Sequence, residues 1–423
     1  MTEKSMKYFL KTMGCQMNMA DSEIISNHMR LCGIKPAESF KEADIIIMNT
    51  CTVRAMAEHK ALSFLGEVKK RTVNKMVIVA GCAAEQWGES IKKRYPMIKL
   101  VAGAKDIEHF PVLFDKAFGF KNHSPFTIHH SPDVSALVTI MRGCENFCSY
   151  CIVPYVRGKE ISKPWKDIIK EITALVKNGR KEIMLLGQNV NSYKADNRLK
   201  VKDFSDLLVE INKIKGLERI RFMTSHPKDL SDKLIKAMAN LDKVCNHIHL
   251  PLQSGSDKIL KKMNRGYTSK EYLTLIHKLR KSIPDISITT DILVGFPTET
   301  DIDFNKTIKL IKQADFDFLF AFKYSPREGT KSSKMKDSVS QSAKEARLAK
   351  VLEISNGIST GKNAKLVGTK QDVLVEEKRD LLYVGSTGSN KKVFFKASKV
   401  KPGMIVNVKI TDSKINSLIG IKN

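Results

Sequence analysis

Three short apolar runs in the first quarter of the chain each end in a cysteine: "KYFLKTMGC", "ADIIIMNTC" and "KMVIVAGC". The second and third are dense in β-branched residues, the composition of strands buried on both faces of a parallel sheet. Cys15, Cys51 and Cys82 follow at intervals of 36 and 31 residues, room for one strand–helix unit each. The stretches between, "NMADSEIISNHMRLCG" and "AEHKALSFLGEVKKR", read as helices, and Gly33 closes the first. The pattern predicts a doubly wound βαβαβ sheet with strands at 7–12, 43–50 and 75–80. Strand C-termini of such a sheet share one edge, where open α/β sheets bind ligands. Three thiols brought to that edge predict a metal or cluster site.

A second alternation follows a Pro-, Ser- and His-containing linker at about 120–135, "FKNHSPFTIHHSPDVS". Candidate strands are "SALVTIM", "EIMLLG", "RIRFMT", "NHIHLPL", "SITTDILVGF" and "DFLFAFKYS", with helical patterns such as "WKDIIKEITALVKNG" and "DIDFNKTIKLIKQA" between them. Six strand–helix units predict a partial (β/α)6 barrel, two units short of the usual eight and open on one side for a bulky substrate. Barrel chemistry sits at strand C-termini. Cys144, Cys148 and Cys151 fall after the first strand, Gln188 and Asn189 after the second, and Ser225 and His226 after the third. Gln253 and Ser254 follow the fourth, Gly295 the fifth, and Tyr324, Ser325 and Arg327 the sixth.

A short charged helix at 341–356 leads into five β-like runs separated by turns. Residues 363–423 hold 12 Lys and Arg against 5 Asp and Glu, so a small basic β-barrel, OB-like and suited to nucleic acid, is predicted there. The fold class expected is therefore α/β and multidomain, with boundaries at 5–120, 130–357 and 361–423. The whole chain has 72 Lys and Arg against 45 Asp and Glu, a net charge of +27. Such a field favours a polyanion; charge alone does not choose between tRNA, rRNA and an acidic membrane. The longest apolar stretches are far short of the roughly 18–20 residues a membrane span needs, and the N-terminus lacks the apolar run of a signal peptide. A cytoplasmic protein with no membrane association is expected. In that reducing compartment eight cysteines argue for metal or redox chemistry over a disulfide framework.

"GCENFCSYC" places Cys144, Cys148 and Cys151 at C-x3-C-x2-C spacing. A structural zinc closes its shell with four ligands, usually as two separated pairs. Three thiolates suit a four-iron cluster with one iron left open to a small ligand. Tyr150 puts an aromatic ring beside that site. Cys32 and Cys245 belong to no motif and read as plain thiols.

The C-x3-C-x2-C motif with an aromatic before its last cysteine resembles the radical S-adenosylmethionine (SAM) enzymes. The wider set resembles their methylthiotransferase branch: "TMGCQMNMADSE", "NTCTVRAMAEHK", "AGCAAEQ", "GCENFCSYCIVPYVRGKE", "LLGQNVNSY", "RFMTSHPKDLSD", "HLPLQSGSDKILKKMNRGYT" and "DILVGFPTET". The tail ending "VNVKITDSKINSLIG" is similar to the TRAM module, an RNA-binding barrel. The resemblance runs nearly end to end. It implies that Cys144, Cys148 and Cys151 hold a [4Fe-4S] cluster that binds and cleaves SAM, and that Cys15, Cys51 and Cys82 hold an auxiliary [4Fe-4S] cluster. It further implies a methylthio group added to C2 of N6-isopentenyladenosine beside the anticodon of tRNA, with one SAM as methyl donor and a second as radical source.

Cofactor contacts are expected from Tyr150, Gln188, Asn189, Arg157, Ser225, Gln253 and Gly295. For the polar strand-end residues, turn and capping roles stand as the other reading. Gly295 either lets backbone approach the adenine of SAM or makes a tight turn. Arg157 meets SAM carboxylate or RNA phosphate, or forms a surface salt bridge. Glu145 and Lys163 depart from the family pattern, which has an amide and an arginine there. Rival substrates are N6-threonylcarbamoyladenosine of tRNA and an aspartate of a ribosomal protein; a rival of another class is a non-catalytic RNA-binding protein with structural zinc. A monomer is expected, and the electron and sulfur donors stay unidentified.

Overall fold

The computed structural model describes residues 6–52, 55–71, 75–120, 133–195 and 200–422. The predicted linker falls mostly outside the described residues. The chain forms two compact units. The first holds residues up to 130 together with Arg142–Glu145 and Cys151–Ile161; the second holds Ser131–Met141, Asn146–Tyr150 and Ser162–Asn423. Pieces of the cysteine-rich segment thus pack with the N-terminal unit, although sequence places that segment in the central region.

The first unit is built on a parallel sheet of β1 (Lys7–Thr12), β2 (Lys35–Pro36), β3 (Ile45–Thr50), β4 (Met76–Gly81) and β5 (Ile98–Gly103), in the order β2-β1-β3-β4-β5. Two of these strands, β2 and β5, extend the predicted three. Every residue of β3 is buried. Its Ile46 and Met48 pack with Phe64, Leu65 and Val68 of the helix Ala55–Arg71. Its Ile45 and Ile47 pack with Ile25 and Met29 of the helix Gln16–Leu31 and with Phe110 and Phe114. Alternate residues feed opposite cores because side chains alternate across a strand. Truncating Ile47 to alanine in such a core costs about 2–5 kcal/mol.

The second unit holds β6 (Ser135–Thr139), β9 (Glu182–Leu186), β10 (Arg219–Phe222), β11 (His247–His249), β12 (Ser287–Val294) and β13 (Phe318–Lys323); in chain order the two-residue strands β7 (Met141–Arg142) and β8 (Ile161–Ser162) fall between β6 and β9. Parallel pairing runs β6-β9-β10 and β11-β12-β13. A parallel bridge from Ile220 to Val244 joins the two groups. The six predicted strands are all present, in chain order and open at both edges, with one large apolar core beneath them.

The helix predicted at 341–356 runs from Gln341 to Ala364, past Gly357 and Gly361 and through the boundary expected at 361. Tertiary contacts carry it on. Ser359 Oγ donates to Asp317 O at 2.9 Å, and Asn363 Nδ2 donates to Lys414 O at 2.8 Å and Ile415 O at 3.0 Å.

A closed barrel follows: β14 (Lys370–Arg379), β15 (Leu382–Thr387), β16 (Lys392–Lys396), β17 (Ile405–Lys414) and β18 (Ser417–Ile421), in the order β14-β15-β16-β18-β17. Register shifts at Val375/Glu377 and Ile410/Asp412 bend its two long strands, as closure of so few strands requires. Arg219 and Arg221 of β10 reach into it, donating to Ser386 O and Asp372 O, and to Gly388 O and Thr387 O.

Candidate functional site

Cys15, Cys51 and Cys82 stand at the C-terminal ends of β1, β3 and β4. Asn18, Asn49 and Thr50 stitch those ends together. Asn18 Nδ2 donates to Asn49 Oδ1 at 3.1 Å and to Thr50 O at 2.9 Å, and Thr50 Oγ1 donates to Ala80 O at 2.6 Å. Cys15 caps the helix Gln16–Leu31, its Sγ 3.4 Å from Asn18 Oδ1. A Cβ on Gly14 would stand 2.6 Å from that of Cys51, so glycine admits the close approach of the two loops. Cys51 and Cys82 are buried and Cys15 is exposed. Burial pushes the Cys82 thiol up to about 12, opposed by Arg157, while Cys51 and Cys15 push the same way as burial. Cys82 thus feels both of the other two sulfurs.

Arg157 ends the helix Val153–Arg157 and packs with the first unit. Its Nε donates to Cys82 Sγ at 3.3 Å and its Nη2 to Asp21 Oδ2 at 2.9 Å. It is 7% exposed, and Nη1 is buried with no hydrogen-bond partner among the described residues. Burial disfavours its charge, but Cys82, Asp21 and Cys15 outweigh that, and the guanidinium stays charged. Its contacts lie at the N-terminal cysteine site, and its burial sets aside the surface salt bridge. Asp21 holds a second arginine, Arg142, at 2.7 Å.

In the C-x3-C-x2-C segment, Cys144 and Cys151 pack with the first unit and Cys148 with the second. Cys144 N donates to Gly158 O at 3.1 Å, which pins the loop before the helix Val153–Arg157 to the residue that ends it. Cys148 is buried and accepts from Arg265 Nη1 at 3.3 Å. Arg265 also donates to Tyr267 Oη at 2.9 Å and Pro251 O at 2.8 Å. Burial opposes its charge, and Tyr150, Tyr267 and Cys148 more than offset this. Tyr150 packs against a small core of Ile259, Met263, Phe296 and Tyr324. Arg265 stands in the quoted motif "HLPLQSGSDKILKKMNRGYT", but no role was assigned to it there.

The predicted polar strand ends are in place. The loop after β9 is stitched to the loop after β10 by Val190 N to Thr224 O, 3.0 Å, and the latter to β11 by Ser225 N to His249 O, 3.3 Å. Gln188 Oε1, Asn189 Oδ1, Ser225 Oγ and His226 Nε2 are buried with no hydrogen-bond partner among the described residues. Asn191, which sequence passed over although it stands in "GQNVNS", leaves both side-chain polar atoms in the same condition. Buried polar atoms left open in this number are ready to meet a polar ligand. Gln253 holds φ +72°, a left-handed backbone fixed by pairing on both sides with β12.

Ser254 and Gly295 make local contacts. Ser254 Oγ accepts from Ser256 N and contacts Thr307. Gly295, at φ +69°, donates to Glu299 Oε2 at 2.7 Å, and a Cβ there would stand 2.3 Å from Lys344 Cγ, so its turn demands glycine. Lys163 pairs with Glu171 at 2.6 Å.

Cys32 is not a solitary thiol. Its Sγ lies 3.6 Å from His28 Nε2, which lies 2.9 Å from Asp115 Oδ1, and burial followed by Asp115 pushes the thiol up to about 11. Among the described residues these three form a close donor group, all within 4.8 Å of one another. Cys15, Cys51 and Cys82 form no group that tight. Cys245 is buried beside Arg221 and Glu182, and burial raises its thiol.

The chain matches the Radical SAM superfamily over residues 138–311, Uncharacterized protein family UPF0004 over 7–103 and the TRAM domain over 364–422. It is 46% identical over 421 residues to the tRNA-2-methylthio-N(6)-dimethylallyladenosine synthase of Endomicrobium trichonymphae, covering 98% of this chain and 99% of the relative. A protein of the same name from Carboxydothermus hydrogenoformans is 43% identical, with full coverage of both chains. In fold it is similar to the radical S-adenosylmethionine methyltransferase TsrM of Kitasatospora setae, with a TM-score of 0.56, 12% identity, and 78% of this chain and 74% of that one covered. The cobalamin-dependent radical enzyme OxsB gives a TM-score of 0.52 at 12% identity over 78% of this chain and 55% of that one.

Proposed function

Because the chain belongs to the family of tRNA-2-methylthio-N(6)-dimethylallyladenosine synthases, we propose that it adds a methylthio group to C2 of N6-isopentenyladenosine in tRNA, in the cytoplasm and as a monomer. Its cofactors are two [4Fe-4S] clusters and SAM. Cys15, Cys51 and Cys82 hold one cluster, and Cys144, Cys148 and Cys151 hold the other. The pairing of two cysteine trios carries this reading, each with a buried arginine donating to one sulfur.

The donor chemistry fits. Thiolates are the ligands of iron–sulfur clusters, and N–H groups aimed at their sulfurs stabilise them. When bound, such a cluster offers one open iron that ligates a small molecule and passes it an electron. The protein's own groups do the rest. Gln188, Asn189, Asn191 and Ser225 present unfilled hydrogen-bonding atoms at the rim of the partial barrel, where SAM and the target base are to be oriented. His226, which burial with help from Arg265 and Lys228 holds down at about 2, stays a neutral imidazole and serves as a hydrogen-bonding group. The basic C-terminal barrel supplies charge for the tRNA phosphates. Among the described residues no helix is long and apolar enough to cross a membrane.

Anaerobic incubation of the iron-loaded protein with SAM, a reductant, a sulfide source and tRNA bearing N6-isopentenyladenosine tests the reading. Mass spectrometry of digested tRNA is expected to show a methylthio group replacing one hydrogen of that nucleoside. A product found only on N6-threonylcarbamoyladenosine refutes the substrate assignment, and tightly held zinc with no iron refutes the enzyme.

A further inference from the structure

Arg157 and Gly158 touch both cysteine motifs. Arg157 Nε donates to Cys82 Sγ at 3.3 Å, and the carbonyl of the next residue accepts from Cys144 N at 3.1 Å. The segment cannot slide away. A Cβ on Gly143 would lie within 2 Å of Lys159 O, so the backbones at 143–144 and 158–159 are in direct contact. Asp21, wholly buried, fixes the guanidinium by accepting from Nη2 at 2.9 Å. Arg142 takes the other oxygen of the same carboxylate at 2.7 Å. The remaining nitrogen, Nη1, is buried and has no hydrogen-bond partner among the described residues.

A guanidinium spending one N–H on a ligand sulfur, with a further buried N–H left open, suits a negatively charged inorganic group. Hydrogen bonds to cluster sulfurs and nearby fixed charge favour the form carrying the extra electron. We infer that Arg157 is a positioning residue for the N-terminal cluster, holding Cys82 in its ligating orientation and raising the electron affinity of that cluster. This rests on the reading of Cys15, Cys51 and Cys82 as cluster ligands. Asp21 works against it: its carboxylate offsets part of the guanidinium charge, so the two residues push the electron affinity in opposite directions.

The test uses full-length protein with Cys144, Cys148 and Cys151 replaced by alanine, loaded with iron and sulfide without oxygen, so that one cluster remains. If this protein binds no iron, the assignment of Cys15, Cys51 and Cys82 fails and the inference falls with it. If it binds one cluster, its midpoint potential is titrated against a chemical reductant and followed by electron paramagnetic resonance. R157Q is expected to lower the reduction equilibrium about tenfold, which is about 59 mV for a one-electron couple. R157K, which keeps the charge and loses the planar fork, is expected to recover part of that shift. D21N is expected to move the potential the opposite way. Loosened packing alone would not reverse sign between two partners of one ion pair. Shifts of R157Q and D21N in the same direction, or no shift in either, overturn the inference. Should R157Q hold no iron, the D21N potential decides: an upward shift supports the proposal and an unchanged one overturns it.

Discussion

Arg265 and Cys148 lie 117 residues apart in sequence, and the guanidinium Nη1 of one stands 3.3 Å from the sulfur of the other. Arg265 is 4% exposed and also ties Pro251 O and the Tyr267 hydroxyl. Removing it strips a donor from a proposed ligand sulfur and leaves a buried carbonyl with less support. R265A is expected to destabilise the fold by about 3 kcal/mol or more, since hydrogen bonds to charged groups are each worth about 1.5–3 kcal/mol. It is also expected to slow SAM cleavage at least tenfold. Urea unfolding and the rate of 5′-deoxyadenosine release check the two halves separately.

Replacing Cys15, Cys51 and Cys82 together by alanine is expected to halve the iron per chain while SAM cleavage persists and methylthiolation stops. Iron quantification after anaerobic loading reads the first effect. Unchanged iron in this variant is the outcome the two-site assignment does not survive.

Gly143 has φ +81°, and any Cβ there collides with the carbonyl of Lys159. G143A is therefore strained twice, by a backbone angle that L residues rarely hold and by a backbone contact unable to yield cheaply. A loss of about 1–3 kcal/mol is expected, together with reduced iron loading, because the displaced loop carries Cys144. Melting temperature and iron content of the variant test this.

Stability is expected to fall on acidification below about pH 6.5. Burial holds His226 down at about 2, with Arg265 and Lys228 adding to it, and holds His247 down at about 3, with Arg221, His249 and Lys391 adding. Both rings are neutral in the folded protein, whereas the unfolded chain takes up protons near the ordinary 6.5. Their full contribution is therefore present above that pH and is lost as pH drops toward the folded values. Each costs up to about 1.4 kcal/mol per pH unit on the way down. Urea midpoints at pH 7.5 and 5.5 measure it, and H226N is expected to flatten the slope.

Arg221 joins the central strands to the C-terminal barrel through Thr387 O and Gly388 O and is neutralised by Glu182 at 2.7 Å. R221A leaves Glu182 buried without this partner, at a cost of about 3–5 kcal/mol. Calorimetry of the full chain is expected to show the barrel melting earlier than the rest; a single unshifted transition counts against this.

The elements were legible in the chain because their signals are local. Ile45–Met48 reads as a buried strand from composition alone, and Thr300 with Asp303 caps the helix Asp301–Ala314 within four residues. Six of the cysteines were legible in position for the same reason: each follows a strand or stands in a motif of eight residues. The helix expected at 341–356 runs on through Gly357 and Gly361. It passes both because Ser359 and Asn363 find partners just before β13 and at the end of β17, a gain that no local preference records.

The chain by itself determined which thiols exist, where the strands set them down and how basic the C-terminal barrel is. Folding decided which cations serve the sulfurs. Arg157 reaches back 75 residues to Cys82, and Arg265 reaches back 117 to Cys148. A guanidinium has no preferred sequence neighbour; its partner is whatever buried acceptor lies within about 3 Å once the backbone has closed, and only the packed structure brings that acceptor into range.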